Sequence, residues 1–243
     1  MRIKLVLAYD GTDFCGWQTQ KNGKSVQSAV EAAIKSLTGE CVKVVASGRT
    51  DAGVHAEGQT LHFDTDSTIP PENFYKALNV YLPPEIRAVK SERAAENFNA
   101  RKSAKKKTYE YNFYVAEVEN PLKERYALNI RELPDIRKMQ RAANLFVGEK
   151  DFKAFCATGS SVQTTVRTIY KVKVAKTESG FKIAVTGGGF LYNMVRIIAG
   201  TLLSVGQNKL TEADVITAFT AGDRKYAGKT LPAKGLTLKS VRY

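Results

Sequence analysis

The sequence has 243 residues, of which 43% are hydrophobic and 25% charged, and this is typical of one large globular domain or two small ones. Its 37 Lys and Arg residues outnumber 24 Asp and Glu residues, and the net charge of +13 indicates a polyanionic partner such as a nucleic acid. Three scattered cysteines and two histidines fit neither a disulfide framework nor a zinc site, and no apolar run is long enough to span a bilayer. We therefore expect a cytoplasmic, nucleic-acid-binding protein without a metal.

Strand and helix signals alternate through the first hundred residues. Alternating hydrophobicity predicts a strand over 2–9, and Ser25 and Gly39 are the expected first and last capping residues of a helix. The further elements predicted for this half are, in chain order, strands over 42–46 and 59–63, a helix near 71–81 and a strand over 86–92.

A glycine-flanked loop follows the strand predicted at 42–46, with the sequence Gly48-Arg49-Thr50-Asp51-Ala52-Gly53-Val54-His55-Ala56. Glycines adopt backbone conformations closed to other residues and let a substrate approach closely, so Asp51 is a candidate catalytic carboxylate. The cation of Arg49 favours the ionised form of that carboxylate. The same residues also fit an ordinary turn in which the aspartate only caps the backbone.

Five cations are concentrated between residues 101 and 107, directly before a strand predicted over 108–115. They are Arg101, Lys102, Lys105, Lys106 and Lys107. On that strand Tyr109, Tyr111 and Phe113 share one face. Cations bind phosphates, and an aromatic ring can stack on an unpaired base. We expect the basic segment to bind RNA and one aromatic residue to contact a base; the alternative is a solvated turn followed by hydrophobic core.

The second half repeats the alternation of strands and helices. Its predicted elements are a helix from Pro134 to Gly148, strands near 166–175 and 180–187, a helix from about 191 to 205, a helix capped by Thr211, and a strand over 236–241. Each half thus has the content of a ferredoxin-like β-α-β-β-α-β unit. We predict an α+β fold of two such halves, residues 1–105 and 106–243, with a large, mostly antiparallel sheet and helices on one face.

The helix predicted at 191–205 contains a single charged residue, Arg196. A guanidinium does not lose its proton, so a buried Arg196 needs an anion, either a carboxylate such as Asp51 or an RNA phosphate. Alternatively, Arg196 extends to the helix surface and remains solvated.

Four ordered motifs resemble those of the tRNA pseudouridine synthase A family, and together they cover nearly the whole chain. They are the loop from Tyr9 to Gln18, the Asp51 loop, Asn193-Met194-Val195-Arg196 with Gly200-Thr201-Leu202, and Gly235-Leu236. The resemblance implies a homodimeric, cofactor-free isomerase with a central basic cleft. Its expected reaction converts uridine to pseudouridine in the anticodon stem-loop of tRNA, at positions thirty-eight, thirty-nine and forty.

The same resemblance implies roles for individual residues. Asp51 is expected to be the essential nucleophile, Arg196 its ionic partner, and Tyr109 the residue beside the target base. Leu236 is expected to help wall the pocket, and Arg49 to contact the RNA substrate.

Two positions depart from the family pattern, because Asn99 stands where a histidine is expected and Lys102 where a phenylalanine is expected. Both departures concern substrate contacts rather than the reaction. From the residues alone, two other functions stay open: a non-catalytic RNA-binding or chaperone protein, and a nucleoside hydrolase that releases uracil. The sequence also leaves open whether Asp51 forms a covalent adduct or generates a glycal intermediate.

Overall fold

A computed structural model of the protein describes residues 1–20, 23–159 and 162–243. Its contacts divide the chain into two compact units, one formed by Met1–Lys105 with Thr237–Tyr243 and the other by Lys106–Leu236. Both units combine strands with helices, which confirms the predicted α+β class. None of the helices in the described residues is both long and apolar enough to cross a membrane.

The first unit follows the β-α-β-β-α-β order of the ferredoxin-like motif. Its elements are β1 (Arg2–Tyr9), α1 (Val26–Thr38), β2 (Val45–Ala46), β3 (His55–Asp64), α2 (Phe74–Leu78) and β4 (Ile86–Arg93). Strand β1 lies between β4 and β3 and is antiparallel to both, while β2 pairs with β3. Every second residue of β1 is buried, so the alternation seen in the sequence corresponds to a strand with one face in the core.

Helix α1 has the predicted boundaries. Ser25 caps its first turn and forms a reciprocal capping box with Ser28, and Gly39 ends it in a left-handed conformation with φ of 78°. Val26, Val30 and Ile34 form the buried face of the helix.

The described residues of the second unit form five strands and three α-helices. Its elements are β5 (Lys106–Val115), β6 (Leu128–Ile130), α3 (Ile136–Asn144), β7 (Gly148–Asp151), β8 (Val166–Thr177), β9 (Gly180–Gly187), α4 (Met194–Gly206) and α5 (Glu212–Ala221). The strands pair in the order β5-β9-β8-β7, and β6 runs parallel to β5. The capping box predicted at Thr211 is present, with Asp214 as its second member.

The last strand, β10 (Leu236–Arg242), contributes its residues from Thr237 onward to the first unit. The division predicted from the sequence places these residues in the C-terminal half, 106–243. Thr237 and Leu238 pair in parallel with β3, and the amide of Lys105 donates a 2.8 Å hydrogen bond to the carbonyl of Arg242. Pairing between strands so distant in the chain depends on tertiary contacts, which local hydrophobic patterns do not encode.

Several element boundaries differ from the predictions. The helix expected at 71–81 is a 3-10 turn over Pro71–Asn73 followed by the five-residue α2. Strand β5 begins at Lys106, so two lysines of the basic segment belong to the strand. The strands β6 and β7 were not predicted, because segments of three and four residues contain too little of the two-residue period to be recognised.

Candidate active site

The Asp51 loop connects β2 to β3 and is anchored at its first residues by β3. The amide of Ser47 donates a 2.7 Å hydrogen bond to the carbonyl of Thr60. The side-chain amide of Gln59 donates a 2.8 Å hydrogen bond to the carbonyl of Gly48. Because Gln59 is fully buried, this bond fixes where the loop leaves the sheet.

The loop that follows β1 forms a second support for the Asp51 loop. The amide of Trp17 donates to the carbonyl of Thr50 at 3.0 Å, and the amide of Gly53 donates to the carbonyl of Phe14 at 3.4 Å. The hydroxyls of Tyr9 and Thr50 lie 2.8 Å apart. Burial raises the pKa of Tyr9 to about 12, so its hydroxyl keeps its proton at neutral pH.

Two glycines of this supporting loop lie directly against the backbone of the Asp51 loop. A methyl group built on Gly16 would lie 2.7 Å from the carbonyl oxygen of Thr50, and Gly16 has a φ of 99°. A methyl group on Gly11 would lie 2.0 Å from the carbonyl oxygen of Val54. A larger residue at either position would displace the backbone on both sides of Asp51.

Asp51 itself is half-buried, and Arg49 is exposed. The carbonyl of Asp51 accepts a 3.1 Å hydrogen bond from the amide of Val54, and Gly53 has a φ of 76°. The main chain thus turns tightly just after Asp51, at a glycine. The result is a half-buried carboxylate on a backbone held from two sides.

His55 is the first residue of β3 and is buried. Its Nδ1 atom accepts a 3.1 Å hydrogen bond from the amide of Gly11 and lies 3.2 Å from a carboxylate oxygen of Asp10. These contacts link β3 to the supporting loop.

In the second unit, Arg196 lies in the first turn of α4, and hydrogen bonds from its guanidinium reach a backbone carbonyl and a side chain. Its Nε atom donates to the carbonyl of Leu231 at 2.7 Å, and a terminal nitrogen donates to the side-chain oxygen of Asn193 at 2.6 Å. Asn193 adopts a left-handed conformation with φ of 58° directly before the helix. Helix α4 therefore begins later than predicted, and sequence reasoning did not identify Leu231 or Asn193 as a partner of Arg196.

The segment that supplies the Leu231 carbonyl is packed closely on α4. A methyl group on Gly200 would lie 1.9 Å from the carbonyl oxygen of Lys229, so only glycine fits there. The hydroxyl of Thr201 accepts a 2.8 Å hydrogen bond from the amide of Gly228. Gly200 and Thr201 belong to a motif noted in the sequence, and their contacts with this segment contribute to the position of the carbonyl that orients Arg196.

Tyr109 and Leu236 are both buried in the second unit, at 8% and 5% exposure. The ring of Tyr109 meets Phe190 edge-on, with centroids 5.2 Å apart. The hydroxyl of Tyr111 donates a 2.7 Å hydrogen bond to the carbonyl of Pro232, and a methyl group on Gly235 would lie 2.5 Å from the Tyr111 ring. Tyr111 therefore supports the backbone that leads into Leu236.

The basic segment presents its cations at the surface. Arg101, Lys102, Lys105 and Lys106 are exposed, and Lys107 is half-buried. The ammonium of Lys106 lies 4.8 Å from the ring centroid of Tyr170. Residues 1–20, 23–159 and 162–243 contain no group of three or more His, Cys, Asp or Glu side chains arranged to hold a metal ion.

The expected site residues are divided between the two units. Asp51 and Arg49 share one braced loop of the first unit. Arg196, Tyr109 and Leu236 belong to the second unit. Arg196 and Tyr111 donate hydrogen bonds to the carbonyls of Leu231 and Pro232, which lie a few residues before Leu236.

Comparison with known proteins identifies close relatives. Residues 5–101 and 142–243 match a family described as tRNA pseudouridine synthase. The tRNA pseudouridine synthase A of Ruminiclostridium cellulolyticum is 46% identical over 243 residues, which cover 100% of this chain and 99% of that protein. The corresponding protein of Clostridium acetobutylicum is 44% identical over 241 residues, covering 99% of each chain. Among solved structures, a chain of the archaeal box H/ACA sRNP Nop10-Cbf5 complex has 13% identity and a TM-score of 0.36 over 95% of this chain and 58% of that chain, too distant to support an argument.

Proposed function

The chain belongs to the tRNA pseudouridine synthase family, and we propose that it converts uridine to pseudouridine in the anticodon stem-loop of tRNA, with Asp51 as its essential nucleophile. The expected target positions are thirty-eight, thirty-nine and forty. The observation that carries the proposal is the Asp51 loop, which holds one carboxylate on a backbone braced by β3 and by the glycines of the neighbouring loop.

The reaction is an isomerisation that needs no external electrons or energy. The N1–C1′ bond of uridine breaks, the uracil turns, and a C5–C1′ bond forms while C5 loses a proton and N1 gains one. A carboxylate oxygen of Asp51 attacks C1′ as the N1–C1′ bond breaks, and the later attack by C5 releases the carboxylate. A target uridine flipped out of the RNA stack would give Asp51 access to C1′.

Arg196 is proposed to keep Asp51 ionised and oriented. A cation near a carboxylate favours its charged form, and a planar guanidinium can bind both carboxylate oxygens at once. The support within the second unit is the pair of hydrogen bonds from Arg196 to Leu231 and Asn193, which restrict the guanidinium to one orientation.

Tyr109 is proposed to lie beside the target base, and Leu236 to form part of the pocket wall. The edge-on contact with Phe190 restrains the Tyr109 ring, so the ring is ordered before any substrate binds. Leu236 is only 5% exposed, and an apolar, buried side chain in the wall favours a pocket that excludes water.

The basic segment and Arg49 are proposed to bind the RNA backbone. Arg49, Arg101 and Lys102 are exposed and can reach phosphates without loss of structure. Such contacts report no base sequence, so they position the tRNA while the pocket selects the uridine.

We further propose that the protein acts in the cytoplasm as a homodimer. Light scattering at several protein concentrations tests the second point, because a dimer of 26.8 kDa chains has twice the mass of one chain.

The decisive experiment for the proposed function uses an unmodified tRNA transcript. The transcript is incubated with the protein, pseudouridine is mapped by position, and free uracil is measured. Pseudouridine confined to the anticodon stem-loop is expected. Pseudouridine elsewhere would overturn the target assignment, and released uracil would indicate a hydrolase.

A further inference from the structure

Ala100 lies one residue before the basic segment and is fully buried in the first unit. Both polar groups of its backbone are bonded to side chains from other parts of that unit. The amide of Ala100 donates a 3.1 Å hydrogen bond to Nδ1 of His62 in β3, and the carbonyl accepts a 2.9 Å hydrogen bond from the hydroxyl of Tyr243. A loop residue held at both groups by distant side chains has little freedom to move.

Tyr243 follows β10 and packs against the aromatic ring that precedes this loop. Its ring centroid lies 4.9 Å from that of Phe98, and the ammonium of Lys4 lies 4.9 Å from the Tyr243 ring. Burial raises the pKa of Tyr243 to about 12, so at neutral pH the hydroxyl retains the proton that it donates to Ala100.

His62 acts as a hydrogen-bond acceptor and is therefore neutral in this arrangement. Burial is the main cause that lowers the pKa of His62, and the nearby Arg2 lowers it further. The ring also hydrogen-bonds the backbone of Val45, which is consistent with a proton on Nε2 and an acceptor at Nδ1. Phe98 contacts the His62 ring edge-on at 5.9 Å.

Asn99 extends this support to the cations. Its side-chain oxygen accepts 3.0 Å hydrogen bonds from the amides of both Arg101 and Lys102. The hydroxyl of Ser103 accepts from the amide of Asn99 at 3.2 Å. Asn99, one of the two departures from the family pattern, therefore fixes the backbone from which two exposed cations project.

We propose that Tyr243 and His62 are positioning residues for tRNA binding: by holding the backbone of Ala100 they fix the loop that presents Arg101 and Lys102 to the RNA. The inference rests on the proposed function only in taking tRNA as the ligand. A fixed loop binds more tightly than a mobile one because less conformational freedom is lost when the phosphates are engaged.

The test measures the affinity of each variant for an unmodified tRNA transcript by fluorescence anisotropy at low salt. Tyr243→Phe removes one hydrogen bond and keeps the ring, so the dissociation constant should rise about three- to tenfold. Tyr81→Phe, on a half-exposed tyrosine of the same unit, is the matched control and should bind as the wild type does. The rise should appear in KM rather than in kcat.

A double-mutant cycle shows whether Tyr243 acts through the loop. In a protein that already carries Arg101→Ala and Lys102→Ala, adding Tyr243→Phe should weaken binding no further. His62→Asn, which retains an acceptor near Nδ1, should bind more tightly than His62→Leu. Melting temperatures of all variants identify any that have lost the fold, which the Tyr243→Phe variant is expected to keep.

Three results would overturn the proposal. The first is an unchanged affinity for tRNA in Tyr243→Phe, and the second is an unchanged affinity in the variant that carries Arg101→Ala and Lys102→Ala. The third is a Tyr243→Phe change that raises the dissociation constant by the same factor with and without those two replacements. Because the readout is binding, a wild-type protein that binds tRNA but forms no pseudouridine would contradict the proposed function and leave this inference standing.

Discussion

Gly16 lies so close to Thr50 that a methyl group on Gly16 would be 2.7 Å from the Thr50 carbonyl oxygen. This contact joins the loop after β1 to the residue immediately before Asp51. The backbone that carries the carboxylate is therefore held in part by a residue from a much earlier part of the chain.

Gly16→Ala is expected to lower both stability and activity. A non-glycine residue at positive φ costs about 1–2 kcal/mol, and forcing a methyl group against the backbone adds about 1–3 kcal/mol. Gly39→Ala is the matched control, because Gly39 also has a positive φ but has no atom within 4 Å of the added methyl group. The melting temperature and kcat should both fall further in Gly16→Ala than in Gly39→Ala. Equal effects would mean that the contact with Thr50 is unimportant.

Arg196→Lys is expected to lower kcat about 10- to 100-fold. An ammonium cannot reproduce the fork that bonds the Leu231 carbonyl and Asn193, and losing charge-assisted hydrogen bonds costs about 1.5–3 kcal/mol. Arg137→Lys, on the exposed surface of α3, is the control and should retain wild-type kinetics. A near-wild-type rate for Arg196→Lys would assign Arg196 a purely structural role.

Replacing Lys105, Lys106 and Lys107 with Gln should weaken tRNA binding and reduce its salt dependence. Each lost phosphate contact removes about 0.7–0.9 from the slope of log affinity against log salt, so three should remove about 2. The control replaces three exposed lysines elsewhere, Lys43, Lys76 and Lys209. Equal slopes for the two triple variants would exclude the basic segment from the interface.

Stability should fall in mildly acidic solution because of His62. Its pKa is lowered in the folded protein from an ordinary value of 6.5, chiefly by burial. The unfolded chain then binds more protons than the folded one between these two pKa values. The contribution of His62 to the free energy of unfolding is therefore complete above pH 6.5 and is lost as pH falls towards the folded pKa.

Urea unfolding of the wild type and of His62→Asn at a series of pH values measures this contribution. Every other titrating group is common to both proteins, so the difference between their free energies of unfolding should shrink as pH falls below 6.5. A difference that stays constant over the whole range would contradict the assignment.

Sequence periodicity predicted the strands and helices whose determinants are local. The alternation of β1, the Ser25 and Gly39 caps of α1 and the Thr211 capping box all appear in the structure. The position of β10 could not be predicted in this way, since its pairing with β3 joins residues about 180 positions apart.

In the candidate site, too, local features could be predicted and tertiary contacts could not. The glycines and the single carboxylate of the Asp51 loop were enough to identify it as a candidate catalytic loop from the sequence. Two partners of Arg196 are the backbone carbonyl of Leu231 and the side chain of Asn193. Asn193 belongs to a motif noted in the sequence, but its positive φ and its hydrogen bond to Arg196 could not be read from that motif. The support of Ala100 by His62 and Tyr243 likewise depends on the tertiary fold.

The most direct test of the central claim compares the wild type with Asp51→Asn on an unmodified tRNA transcript, with pseudouridine mapped by position. Asp66→Asn, a change at an exposed aspartate of the same unit, is the control. The amide preserves the shape of the side chain but is a far weaker nucleophile, so Asp51→Asn should bind the transcript normally and form no detectable pseudouridine. Appreciable pseudouridine in the anticodon stem-loop from Asp51→Asn would contradict the assignment of Asp51 as the nucleophile.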